Sequence, residues 1–124
     1  KGFMKELTKA EEEIMQILWE LKAAFVKDII SEMKSPKPAY NTVSTIIRIL
    51  QQKNMVDHKA FGKSHQYFPL ISKEEYSKFK MEGLVKGYFS GSLSRMVSFF
   101  MEKGDVKAKE LDEILKLIEE KRDS

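Results

Sequence analysis

The amino-acid sequence predicts a mainly α-helical chain with a small β-hairpin, and three observations predict it. Two short apolar stripes lie close together, Val26, Ile29, Ile30 and Met33, then Val43, Ile46, Ile47 and Leu50, and Lys34-Ser-Pro-Lys-Pro-Ala39 separates them. Each follows the i, i+3, i+4, i+7 recurrence of a helix with one buried face. Two partly alternating runs then flank a Gly-containing loop, the pattern of a hairpin. From Ser72 onward the apolar spacing is helical and no strand signal recurs. With 124 residues, 42% hydrophobic and 33% charged, the chain has material for one ordinary domain, or a small domain with an appendage.

The elements follow in order. Thr8-Lys9-Ala10-Glu11 is a capping box, with Thr8 as N-cap and Glu11 reaching back. Glu11, Glu12 and Glu13 suit the positive end of the helix dipole. Ala10, Ile14, Ile17, Leu18 and Leu21 supply the core face of this first helix, with Met15 and Trp19 beside it. Lys22-Ala-Ala24 leads into the second helix, with Phe25 near its start, and Ala39 or Tyr40 opens the third. Asn54 suits a left-handed C-cap. A helix, a Pro-containing turn and a helix make a helix-turn-helix. Met55 to Ala60 and His65 to Pro69 then pair around Phe61-Gly-Lys-Ser64, and an Ala60–His65 pairing puts His58 and His65 diagonally on one face. A helix-turn-helix followed at once by a hairpin is a winged helix. Ser72-Lys-Glu-Glu75 is a second capping box and starts a helix to about Phe89. Ser92 caps another, striped by Leu93, Met96, Val97 and Phe100, and after Gly104-Asp105 a last helix presents Leu111, Ile114, Leu115 and Ile118. The expected division is a winged-helix domain over 1–70 and a three-helix domain over 71–124.

Composition excludes several classes. With no cysteine there is no disulfide, thiolate metal site or Cys nucleophile. No apolar run approaches the roughly 18 residues of a membrane span, and the N-terminus has no apolar core segment of a signal peptide, so membrane insertion is not expected and a cytoplasmic protein is. No Ser-His-Asp arrangement and no Gly-rich phosphate loop after a strand is identifiable, so neither catalysis nor a cofactor is expected. His58 and His65 are the only histidines, too few to complete a four-ligand site, so no metal is expected. Net charge is only +3, but it is uneven: residues 1–33 carry −2, residues 34–67 carry +5 and residues 68–124 carry none. The excess sits on the helix-turn-helix and hairpin, where phosphate contacts would be needed.

At about 100° per residue, Asn41, Thr45, Arg48 and Gln52 lie opposite the apolar stripe of the third helix, with Ser44 on the flank. Amide, hydroxyl and guanidinium groups in one row are those that read base edges in a DNA major groove, and the Arg48 fork suits guanine O6 and N7. Tyr40 and Thr42, near the helix start, suit a phosphate there. Lys37, and at the hairpin Lys59, Lys63, Ser64 and His65, suit the sugar-phosphate backbone, which positions a protein without specifying sequence. Three amphipathic helices over the C-terminal third make a small core, which a second copy would enlarge. The expected dimer interface is Tyr76, Phe79, Gly83, Leu93, Met96, Val97, Phe100, Leu111, Ile114, Leu115 and Ile118. Gly83 and Gly87 lie one turn apart and allow a partner helix to approach.

These residues carry a family resemblance. Leu7-Thr-Lys-Ala-Glu-Glu-Glu-Ile-Met-Gln-Ile-Leu-Trp19 resembles the L-T-x-A-E-x-x-I-M-x-x-L-W opening of the penicillinase-repressor family, the BlaI/MecI type. The match continues through Val26-Lys-Asp-Ile29, Ala39 to Leu50, Gly62, Tyr67-Phe-Pro69, Gly91-Ser-Leu93 and Phe99-Phe-Met-Glu102. The resemblance implies an N-terminal winged helix, a C-terminal three-helix dimerisation domain, and a homodimer that represses from a dyad-symmetric operator in double-stranded DNA. It also implies release when a membrane-bound sensor metallopeptidase responds to a β-lactam or related signal and the repressor is cleaved. The family's cleaved bond is an Asn-Phe pair; the matching pair here is Phe99-Phe100, so the chain departs from the pattern at the Asn. The copper-responsive branch carries a C-terminal cysteine motif, which this chain lacks. Two other readings stay open from residues alone. One is a winged-helix regulator released by a small-molecule effector bound in the helical dimer, around Met96, Phe99, Phe100 and Met101. The other is a winged helix used for protein–protein contact.

Overall fold

The computed structural model describes residues 4–104 and 106–122 of the chain. Helix α1 (Lys9–Leu21) begins at the Thr8 capping box: Glu11 N–H donates to Thr8 Oγ1 at 3.2 Å, and Thr8 N–H donates to Glu11 Oε1 at 2.9 Å. Lys22, at φ 73°, ends it with its N–H on Leu18 O. A two-residue strand, β1 (Ala24–Phe25), precedes α2 (Val26–Glu32), whose Asp28 carboxylate accepts the Phe25 N–H at 3.0 Å. Helix α3 (Tyr40–Gln52) follows, then Asn54 at φ 61°, the left-handed position anticipated for it. Strands β2 (Val56–Phe61) and β3 (Ser64–Pro69) form the hairpin, with Ala60 opposite His65, the pairing considered from the sequence. Gly62, at φ 64°, takes the first central position of a two-residue turn, where hairpin geometry needs positive φ.

The sheet has three antiparallel strands in the order β1-β3-β2, so the sequence-based hairpin is one strand short. Ala24 pairs with Tyr67 and Phe25 with Gln66. A two-residue strand is too short to show alternation, and Lys22-Ala-Ala24 reads as a plain lead into the next helix. Helix α4 (Lys73–Tyr88) starts at the Ser72–Glu75 box, with both reciprocal hydrogen bonds at 3.0 Å. Ser92 Oγ caps α5 (Leu93–Glu102) through Arg95 N–H, and α6 (Ala108–Arg122) follows.

The chain divides into two compact units, Lys1–Lys80 and Met81–Ser124, later than the expected boundary at residue 70. In the first, Ile14, Met15 and Leu18 of α1 meet Ile29 of α2, Val43, Ile47 and Leu50 of α3, and Val56 and Tyr67 of the sheet. Met15 is fully buried rather than beside the core face, and Ala10 and Leu21 are exposed. The start of α4 belongs to this core. Trp19 Nε1 donates to Ile71 O at 2.8 Å, and the Tyr76 hydroxyl accepts the Leu7 N–H at 2.9 Å. Tyr76, one of the residues expected at the dimer interface, is only 3% exposed, and its hydroxyl satisfies a buried backbone donor of its own unit. Phe79 packs against the same core, its ring 5.8 Å from Tyr76.

The second unit comprises the rest of α4 with α5 and α6. No described residue of α5 or α6 is fully buried. Leu93, Phe99, Phe100, Met101, Leu115, Leu117 and Ile118 are all exposed, while Met96, Val97, Leu111 and Ile114 are half-buried.

Candidate nucleic-acid interface

Helix α3 is held by one face and offers the other. Val43, Ile47 and Leu50 are completely buried, and a period of 3.6 residues then leaves Asn41, Thr45, Arg48 and Gln52 exposed in a row. Thr45 Oγ1 donates to Asn41 O at 2.8 Å, so its hydroxyl proton is committed and the group can offer only a lone pair or its methyl. Arg48 Nη2 lies 3.4 Å from Ser44 Oγ, a long contact that leaves most of the guanidinium donors uncommitted. Tyr40 and Thr42, both exposed, occupy the first turn, and no side chain caps that helix end. Uncapped first-turn N–H groups with the helix dipole behind them favour an anion.

The other end of α3 is anchored by charge. Lys53 Nζ donates to Glu11 Oε1 at 2.7 Å, tying the C-terminus of α3 to the start of α1. Burial alone would push the Glu11 carboxyl up, but the Lys53 ammonium and the Thr8 N–H outweigh it and hold the carboxyl below its usual range.

The wing carries Lys59, Lys63, Ser64 and His65, all exposed. Lys59 Nζ sits 5.6 Å from the centre of the Phe61 ring, which meets Phe25 edge-on at 5.9 Å. The contact with Phe25 ties the wing to β1. His65 does not stand alone on the wing, because its ring stacks on His58 at 4.1 Å and 11°. His58 Nδ1 lies 3.2 Å from Gln51 Oε1 of α3. Among the described residues, no group of three or more carboxylates and histidines could hold a metal ion.

Between α3 and the wing lies a cleft of about 680 Å³, walled by Tyr40, Ser44, Arg48, Gln51 and Gln52 of α3, by His58, Lys63, His65 and Tyr67 of the hairpin, and by Val26. Burial raises the pKa of the Tyr67 phenol, with Arg48 pulling it the other way and Tyr40 adding to the rise. The phenol is thus a neutral hydrogen-bonding group in a cationic wall.

The structure brings together Tyr40, Ser44, Arg48, Lys63 and His65 from the sequence-predicted set. Lys37 is placed differently. Its Nζ donates to the carbonyls of Ile30, Ser31 and Met33 at 3.1, 3.0 and 2.6 Å, closing the C-terminus of α2. Sequence reasoning did not assign Gln51, His58 or Tyr67 to this interface. The Ala60–His65 register was the signal, since it carries His58 opposite Tyr67 and toward α3.

In the second unit, a Cβ added at Gly83 or Gly87 would meet nothing within 4 Å. The Phe99–Phe100 pair lies inside α5, with rings 5.8 Å apart and both exposed.

The chain is 28% identical over 117 residues to the methicillin resistance regulatory protein MecI of Staphylococcus aureus (strain N315), covering 94% of this chain and 95% of that one. It is 25% identical over 116 residues to the penicillinase repressor of Bacillus licheniformis, covering 93% and 91%. The solution structure of the DNA binding domain of the repressor BlaI shares the fold, with a TM-score of 0.52 at 22% identity over 61% of this chain and 94% of that one. The family model described as penicillinase repressor matches residues 7–120, and the chain belongs to that family.

Proposed function

We propose that the chain is a DNA-binding transcriptional repressor, not an enzyme, that occupies a palindromic promoter operator as a homodimer. The observation that carries the reading is the exposed row of Asn41, Thr45 and Arg48 on a helix whose opposite face is fully buried. A recognition helix must be held rigidly by one face to read bases with the other. In this reading Arg48 addresses guanine, Asn41 adenine, and Thr45 a thymine methyl or an acceptor contact, with Ser44 on the flank. Tyr40, Thr42, Lys59, Lys63, Ser64 and His65 take the sugar-phosphate backbone. The names of the two relatives, a resistance regulator and a penicillinase repressor, support repression as the output.

Dimerisation through the exposed faces of α5 and α6 places two recognition helices on one body, and two half-sites on one duplex then share the entropic cost of binding. Release follows from proteolysis in these helices by a membrane-bound sensor metallopeptidase, at or near Phe99-Phe100. That bond lies inside α5, so local unwinding precedes cleavage. DNase footprinting of the chain on its own promoter tests the reading. A protected stretch with two-fold symmetry is expected, and an unprotected promoter at saturating protein overturns it.

A second reading rests on a cleft of about 550 Å³ beside Phe89, Arg95, Ser98 and Phe99 in the second unit. It assigns release to a small-molecule effector there. A ligand that raises the melting temperature and weakens operator binding without cleavage supports it.

A further inference from the structure

The stacked histidines sit in the wall of the cleft that faces α3. Gln51 Oε1 can only accept, so His58 Nδ1 carries the hydrogen of that 3.2 Å contact and Nε2 is the atom free to gain a proton. His65 lies face to face with it at 4.1 Å. Positive charges on two rings so close would oppose each other. The groups facing the pair are Arg48 and Tyr40 from α3, Lys63 from the turn, Tyr67 from β3, and Asp57 from β2, whose Oδ1 lies 3.9 Å from His58 Nδ1. The cleft therefore gathers Arg48 and Lys63 around two imidazoles, with hydroxyl and amide groups between them. Such a cleft wants an anion with several acceptor oxygens, and its position between a recognition helix and a wing says which anion.

We propose that this cleft is a phosphate site, and that the His58–His65 pair takes up a proton as a DNA backbone phosphate enters it. The proposal rests on the DNA-binding reading above. Lys63 supplies the fixed positive charge and the imidazolium supplies a directed donor. Gln51 is a positioning residue that fixes the His58 tautomer. Imidazole is the side chain that changes charge near neutral pH. A phosphate seated in the cleft brings negative charge against both rings and would pair a proton on either one. More protons are bound in the complex than in the separate partners, so affinity rises as pH falls, and each linked proton changes it by at most about tenfold per pH unit.

The test is operator binding by the full chain at fixed salt from about pH 8 down to about pH 5.5, for the native chain, His58→Gln and His65→Gln. The expected result is tightening of the native chain toward low pH, and a flattened profile in both variants. Calorimetry in buffers of different ionisation heat is expected to show proton uptake on binding, reduced in both variants. Parallel pH profiles in all three proteins, with circular dichroism showing both variants folded, overturn the proposal while leaving DNA binding intact. A chain that binds no duplex at any pH removes the DNA-binding reading as well. Inorganic phosphate titrated alone separates the two sources of the anion. A saturating shift of the histidine ring proton resonances with free phosphate and none with duplex overturns the backbone assignment.

Discussion

Arg48 joins the two halves of the interface, because it belongs to the exposed row of α3 and also walls the cleft toward the wing. Its guanidinium keeps donors free beyond the 3.4 Å contact with Ser44, which a bidentate contact with guanine requires. Arg48→Ala is expected to cost about 1–3 kcal/mol on operator DNA and little on an unrelated duplex. Equal losses on both, measured as dissociation constants, would assign Arg48 to the phosphates. Glu11 has the opposite character, a buried carboxylate in a structural role. Its pKa is depressed in the folded chain, so its contribution to stability is present above the ordinary value of 4.5 and is lost as pH falls through the folded value. Glu11→Gln is therefore expected to lower the melting temperature at neutral pH and to narrow the gap from the native chain as pH falls below the ordinary value of 4.5. A gap that stays constant across that range, followed by calorimetry, would show that the Lys53 pair does not set the acid response.

Helix α3 transmits the core to the interface, and Ile47 is its fully buried midpoint. Ile47→Ala removes methyl groups from a packed site and is expected to cost about 2–5 kcal/mol in denaturant unfolding. A loss below about 1 kcal/mol would mean that the site collapses around the cavity. The same element shows why much of the fold was legible. Val43, Ile47 and Leu50 recur at helical spacing, and the capping boxes at Thr8 and Ser72 are local signals that need no tertiary contact. The hairpin was legible from two alternating runs around Gly62, whereas its register entered only as one pairing considered, Ala60 with His65. What stayed hidden depends on long-range partners. Strand β1 exists because Ala24 and Phe25 find Tyr67 and Gln66. Tyr76 is core because Leu7, far away in sequence, needs an acceptor. Lys37 reads as a free cation until the carbonyls ending α2 are in place around it. The histidine stack required both the register and the approach of α3.

At the scale of the whole molecule, the contrast between the two units carries the argument. The first has a continuous buried core, whereas α5 and α6 have no fully buried residue among those described. Helices with so much exposed apolar surface gain by covering it with a second copy. Phe100→Asp places a charge where that surface would close and is expected to give a monomer by analytical ultracentrifugation. A variant that sediments as a dimer would place Phe100 outside the interface. Because the operator reading needs two recognition helices on one body, the same variant is also expected to lose affinity for a full operator more than for a half-site. Base-specific binding by a dimer is measured by fluorescence anisotropy. The full chain is titrated onto DNA from its own promoter and onto a shuffled duplex, across a salt series. Tight binding to the promoter alone is expected, surviving moderate salt and saturating at two chains per duplex. Equal binding to both duplexes, lost together as salt rises, would contradict it and leave only a basic surface without base readout.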